Sequence, residues 1–184
     1  DPDTHPAICD MADLVVSVAP ERIAQEMRPM LEHSRRRKAV ELLAATGLAR
    51  ALIAELQPLI DDTPAWSNVL ARLQELQGPV FPLALAAWLL DLGPATVEQV
   101  CQRWRLSNHE TDRTLWLVRM HGKLEQAPHR AWSNVQPILV HEGAHDLVAL
   151  AEANAAARAE PAPYVAWCRD KLALPRQELD PPHL

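Results

Sequence analysis

Valine, isoleucine and threonine together number only 24 in 184 residues, against 29 alanines and 27 leucines. Helix formers outnumber the β-branched residues that suit a pleated sheet by more than two to one, which excludes a sheet-rich fold and predicts an all-α one. Long apolar runs are also missing. The longest, Val80 to Leu90, is 11 residues, and a bilayer-spanning helix needs about 20. The N-terminus has no basic stretch leading into an apolar one, as a secretory signal would. Cysteine is scarce and odd in number: Cys9, Cys101 and Cys168 fit neither a disulfide framework nor a metal-site spacing. These absences predict a chain of the reducing cytoplasm with no membrane partner. It opens on Asp1 rather than Met, which suits a piece of a longer polypeptide, and its length suits one domain or two packed halves.

A basic excess is absent too. Eighteen Lys and Arg against 24 Asp and Glu leave a net charge of −6, which argues against a surface that captures nucleic acid over its whole extent. Any polyanion contact is therefore local. The densest basic run is Arg35-Arg36-Arg37-Lys38, and residues 100–130 hold six Lys/Arg against three Asp/Glu, while residues 61–99 hold one against five.

Helical signals fill the chain. Pro20-Glu21 opens a helix with proline in its first turn and an acid near the positive end of the dipole. Ile23, Met27, Met30 and Leu31 continue it as a buried stripe that Pro29 should kink or divide. Ser34 is placed to cap the next helix, with Ala39, Leu42 and Leu43 facing inward and Gly47 as its stop. Helix continues over Leu48 to Leu59, then again from Trp66 to Leu76, where Trp66, Val69, Leu70, Leu73 and Leu76 share a face. Pro82 to Leu92 is apolar nearly all round, as a central core helix would be, and Gly93-Pro94 ends it. Capped helices follow over Thr96 to Arg105 and Ser107 to His121, then others near Ala131 to His141, Ala144 to Ala159 and Ala162 to Leu172. About ten helices joined by short loops make a multi-helix array, with polar, proline-rich ends at Asp1 to Pro6 and Pro175 to Leu184 that should be loosely held.

Three strings invite a chemical reading. His141-Glu142-Gly143-Ala144-His145 is a formal HExxH, which in zinc peptidases puts two imidazoles and a general base on one helical face. Gly143, with apolar helix ends on both sides, predicts a helix-loop-helix corner instead, in which the imidazoles do not converge. Thr96 to Leu124 imitates a DNA-binding helix-turn-helix, but Leu115, Trp116, Leu117 and Val118 crowd the second helix and predict packing rather than base reading. At Leu90-Asp91 a His-Asp pair would hold a divalent cation for phosphohydrolysis; Leu90 is no ligand, so Asp91 is read as a turn residue.

Taken together the strings resemble the neck and body of bacterial tRNA nucleotidyltransferase/poly(A) polymerase enzymes, the class that includes CCA-adding enzymes. Val18 to Met27 with Met30-Leu31, Arg36 to Leu48 and Glu55-Leu56 look like the neck. Phe81 to Gly93, Cys101 to Thr111, Trp116 to His121, Tyr164 to Leu172 and Glu178 to Pro182 are similar to the helical segments after it, in the same order. On that resemblance the chain divides into an N-terminal extension with the end of a preceding helix (1–17), a neck-like hairpin (18–62), a helical body with a degenerate His-Asp segment (63–126) and a C-terminal helical segment (127–184).

The resemblance implies a chain that positions the 3′ end of tRNA or another RNA for a nucleotidyltransferase head. In the family that head holds Mg2+ and CTP or ATP through a Gly-Gly loop followed by paired carboxylates. No Gly-Gly pair occurs here, and two-metal transfer needs ligands that hold ions about 4 Å apart. The implied role is therefore RNA binding without catalysis, with the head as partner and no cofactor or metal of its own. Phosphate contacts need basic side chains more than fixed geometry, so Arg35, Arg36, Arg37 and Lys38 are the first candidates, followed by Arg113, Arg119, Lys123 and Arg130. The alternatives are a helix-turn-helix DNA binder or a protein-interaction scaffold and, more remotely, a zinc hydrolase using the HExxH string.

Overall fold

The computed structural model describes residues 4–179, so Asp1–Asp3 and Asp180–Leu184, half of the expected loose ends, lie outside the described residues. The described chain forms thirteen α-helices linked by short turns, five of them 3-10 turns, and contains no strand. The helices are α1 (Thr4–Met11), α2 (Pro20–Glu32), α3 (Arg36–Ala45), α4 (Leu48–Leu52), α5 (Gln57–Asp61), α6 (Thr63–Glu75), α7 (Phe81–Leu89), α8 (Pro94–Arg103), α9 (Asn108–Met120), α10 (Trp132–Leu139), α11 (Ala144–Ala157), α12 (Pro163–Leu172) and α13 (Arg176–Leu179). None is long and apolar enough to cross a membrane. The count exceeds the ten read from the sequence because α1 and α13 reach into the ends expected to be loose and because Leu48 to Leu59 is not one helix. It breaks at Ile53 (φ −144°, ψ 83°), which is fully buried, and resumes as a 3-10 turn and α5, whose second residue is Pro58.

The centre is α7, whose nine residues, Phe81 to Leu89, are all buried. Helices α2, α6, α9 and α11 pack around it. The α6–α11 pair forms an especially extensive contact, and small side chains allow the close approach: Ala144, Ala151, Ala153 and Ala155 are buried on α11. One cluster of buried residues runs from Ala24 to Leu179, crossing the segment boundaries at 62/63 and 126/127. Gly93 ends the core helix's 3-10 extension at φ 77° and ψ 162°, a conformation open to glycine alone, and so aims Pro94 into the first turn of α8.

Several local details differ from the sequence reading. Pro29 does not divide α2, because it stands in the last turn, where only one intrahelical bond is lost before the helix ends at Glu32. Ser34 is not the cap of α3; Arg35 holds that position and no side chain caps the helix. Helix α8 begins at Pro94, two residues before the expected Thr96. The inward face of α3 is Arg36 and Val40, whereas Leu42 is 45% exposed. At α9, by contrast, Ser107 and Glu110 form the full capping box, as their spacing predicts.

Candidate nucleic-acid interface

Helix α3 starts with four consecutive cations, and the helical period separates them. Arg36 stands one turn before Val40 on the core side, while Arg35, Arg37 and Lys38 point to solvent. Arg36 is 3% exposed. Its Nε donates to the Leu31 carbonyl at 2.8 Å, its Nη1 to those of Leu73 at 3.1 Å and Leu76 at 2.9 Å, and its Nη2 to that of Glu32 at 3.3 Å. The guanidinium thus serves the carbonyl ends of α2 and α6. The expectation that Arg36 meets phosphate is corrected on this ground: its donors are spent on backbone, and burial pushes its pKa down.

The three remaining cations form a local positive edge. Lys38 makes one exposed pair with Glu41 at 3.1 Å, of the kind that contributes little. Arg37 hydrogen-bonds Gln74, and Arg35 has no carboxylate partner among the described residues. No acidic residue and no capping side chain occupies the first turn. The positive end of the helix dipole and three exposed cations therefore coincide, an arrangement that costs stability unless an anion approaches.

The second group of expected contacts is dispersed. Arg113 is half-buried and spent: its Nη2 donates to the Asp146 carboxylate at 3.0 Å and the Glu142 carbonyl at 2.9 Å. It ties α9 to the start of α11, so its expected RNA contact is corrected as well. Arg119 reaches Glu98 at 3.5 Å between α9 and α8. Lys123 and Arg130 are exposed on the turns after α9, without ion pairs among the described residues.

The two competing chemistries lose their geometry. Helix α10 ends at Leu139 and α11 begins at Ala144, so the HExxH string spans a corner. His141 stacks on Trp116 at 3.8 Å with rings 10° apart, and its Nδ1 accepts the Gly143 N–H at 2.9 Å. Burial and the neighbouring Arg113 lower its pKa. A Cβ on Gly143 would lie 2.6 Å from both Arg113 and Trp116, so the corner is packed shut. His145 instead borders a groove with Arg169 and Leu172. Among the described residues no three His, Cys, Asp or Glu gather as metal ligands. Buried Cys101 and Cys168 have thiols raised to about 11, outside reactive range.

The would-be recognition helix α9 is buried along its apolar side and tied down at its start. Thr114, Leu115, Leu117 and Val118 are buried, and its first turns face α2 and α11 through two ion pairs. Arg28 donates to Glu110 at 2.7 and 3.0 Å and lies 5.2 Å above the Phe81 ring. These groups border a groove of about 390 Å3 together with Glu32, His109, Arg113 and Asp146. The Arg28 hydrogen bonds, helped by Ser107, pull the Glu110 carboxyl down to about 2.

That depression has a pH consequence. A carboxylate held below its unfolded value stabilises the fold above that value and loses the contribution as pH falls toward about 2. Glu110→Gln is therefore expected to cost about 1 to 2 kcal/mol at pH 7, discounted because Arg28 is partly exposed. The gap from the parent should close steadily between about pH 5 and 2, which thermal melts across that range would follow.

Sequence reasoning missed the most buried charge among the described residues. Arg72 is 0% exposed on the core face of α6. It donates to the Ala87 carbonyl and the Asn154 side chain, both at 2.7 Å, and pairs with Asp91. Asp91, at the degenerate His-Asp string, is thus the counter-charge of a core arginine, with Arg158 3.6 Å from its other oxygen. The available signal was position: Arg72 is the one basic residue in 61–99 and falls three residues after Val69 on the buried face.

No curated protein matches the chain. Residues 1–60, which include the α3 cations, match a family described as "Probable RNA and SrmB- binding site of polymerase A". The match spans about a third of the chain, so this N-terminal segment is similar to an RNA-binding region of the polymerase A type, consistent with the neck of a poly(A) polymerase or tRNA nucleotidyltransferase.

Proposed function

We propose that the chain is the RNA-positioning neck and body of a tRNA nucleotidyltransferase or poly(A) polymerase, working with a nucleotidyltransferase head that these 184 residues do not supply. The observation that carries this reading is the α3 edge: Arg35, Arg37 and Lys38 are exposed at an uncapped helix start inside the segment that matches an RNA-binding family. Phosphate oxygens supply the anion that this edge lacks. The body, held by α7 and the Arg72 bridge, keeps α3 fixed against α6 so that a bound 3′ end has a defined direction. Chemistry is left to the head, where Mg2+ and CTP or ATP would bind.

The test is a titration of the full chain with tRNA and with an unstructured RNA of equal length, at about 50 and 200 mM salt, where phosphate contacts change affinity by orders of magnitude. The reading expects tRNA to bind more tightly than the unstructured strand, with both weakening steeply as salt rises. Equal affinity for the two would remove the tRNA assignment, and no binding at the lower salt would overturn the reading.

A further inference from the structure

Far along the chain from the α3 edge, the C-terminal segment brings together aromatic faces and unpaired cations. Trp132, the first residue of α10, is 37% exposed, one of few large apolar side chains left so open. Helix α12 packs against α10 and presents Trp167 and Lys171 one turn apart. The Lys171 ammonium lies 5.8 Å from the Trp132 ring centre and 5.5 Å from that of Trp167, bridging the two indoles. Arg130, two residues before Trp132, is exposed. Neither Lys171 nor Arg130 has a carboxylate within ion-pair distance among the described residues. Most of this chain's arginines are committed to carboxylates or carbonyls, as Arg28, Arg36, Arg72, Arg103 and Arg113 are.

An indole 37% exposed, with an ammonium 5.8 Å from its ring centre and a second exposed cation two residues before it in the chain, matches the needs of an unstacked nucleotide. The base lies flat on the ring and its phosphate meets the cations, a contact that tolerates any base because every base has a π-face. A duplex cannot use it, since its bases are stacked on one another. We propose that Trp132, with Lys171 against its ring and Arg130 two residues before it, is a stacking platform for a base of single-stranded RNA. The platform rests on the RNA-binding reading and gives it a second contact that recognises the unpaired state rather than charge.

The experiment titrates the full chain with a single-stranded oligoribonucleotide of about twelve nucleotides, with its abasic counterpart and with a duplex of the same sequence. Trp132→Ala is expected to weaken single-strand binding about tenfold and leave the salt slope unchanged, and Trp132→Phe to keep most of the affinity. Lys171→Ala is expected to flatten the slope by about 0.7. The abasic strand and the duplex should not distinguish Trp132→Ala from the parent. A Trp132→Ala chain that binds the single strand as tightly as the parent overturns the platform. So does a loss that Phe fails to restore, or one shared by the abasic strand. If reversing the α3 charges abolishes binding while Trp132→Ala changes nothing, the platform falls and the RNA-binding reading stands. If the parent binds no strand, both fall.

Discussion

Arg72→Met is expected to destabilise the protein by about 3 to 5 kcal/mol, the cost of stranding two buried acceptors and taking the nearest cation from a partly exposed carboxylate. Methionine fills much of the volume, so a cavity is not the cause. The cost comes from what remains: the Asp91 carboxylate loses its closest cation, and the Ala87 carbonyl and Asn154 side-chain oxygen lose donors at 2.7 Å. Arg158 stands 3.6 Å from Asp91 but is 40% exposed and does not replace the buried guanidinium. Burial already works against the charge of Arg72, and Asp91 offsets it. In a domain of this size the loss corresponds to a fall in Tm of roughly 10 °C or more. Removing both charges, as Arg72→Met with Asp91→Leu, is expected to recover only the part that comes from the lost ion pair, because the Ala87 carbonyl and the Asn154 oxygen still lack their donor. Thermal and denaturant melts of the single and double variants check both statements. A single variant within about 1 kcal/mol of the parent would show that the bridge is not a structural centre.

The second large effect separates two neighbours in one basic run. Arg36→Met is expected to cost about 2 to 4 kcal/mol, since four backbone carbonyls at the ends of α2 and α6 lose their donors within the interior. Arg37→Ala, one residue on, is expected to leave stability within about 0.5 kcal/mol because its side chain is exposed. RNA binding should show the reverse order. Arg36→Met, folded and below its melting range, keeps the parent's affinity, and Arg37→Ala loses part of it. Denaturant melts paired with RNA titrations of the two variants read both effects. Stability losses of equal size would contradict the inward placement of Arg36.

Features set by nearby residues were legible in the sequence. The apolar stripe of α6, the nearly all-apolar α7, the Ser107–Glu110 capping box and the break at Gly143 each depend on residues a few positions apart. The HExxH string was read as a corner for the same reason. What could not be read locally was where tertiary packing spends a polar group. Arg36 and Arg72 look like surface residues until the carbonyl ends of α2 and α6, or the Asp91 and Asn154 side chains, are brought against them from up to 82 positions away. Leu42 is apolar yet faces solvent, because the face of α3 that meets α6 runs through Arg36 and Val40. The basic run was visible as composition, but the division into one core arginine and three surface cations follows only from the helical phase against a fixed neighbour.

The central claim, that the exposed start of α3 holds RNA by its phosphates, is tested most directly by reversing Arg35, Arg37 and Lys38 to Glu while keeping Arg36. Affinity for tRNA and the melting temperature are then measured together across about 50 to 200 mM salt. The account predicts an unchanged fold, an affinity at least about a hundredfold weaker at the lower salt, and a salt slope shallower by about 2 to 3. An affinity and slope equal to the parent's, in a chain that melts at the parent's temperature, would contradict it.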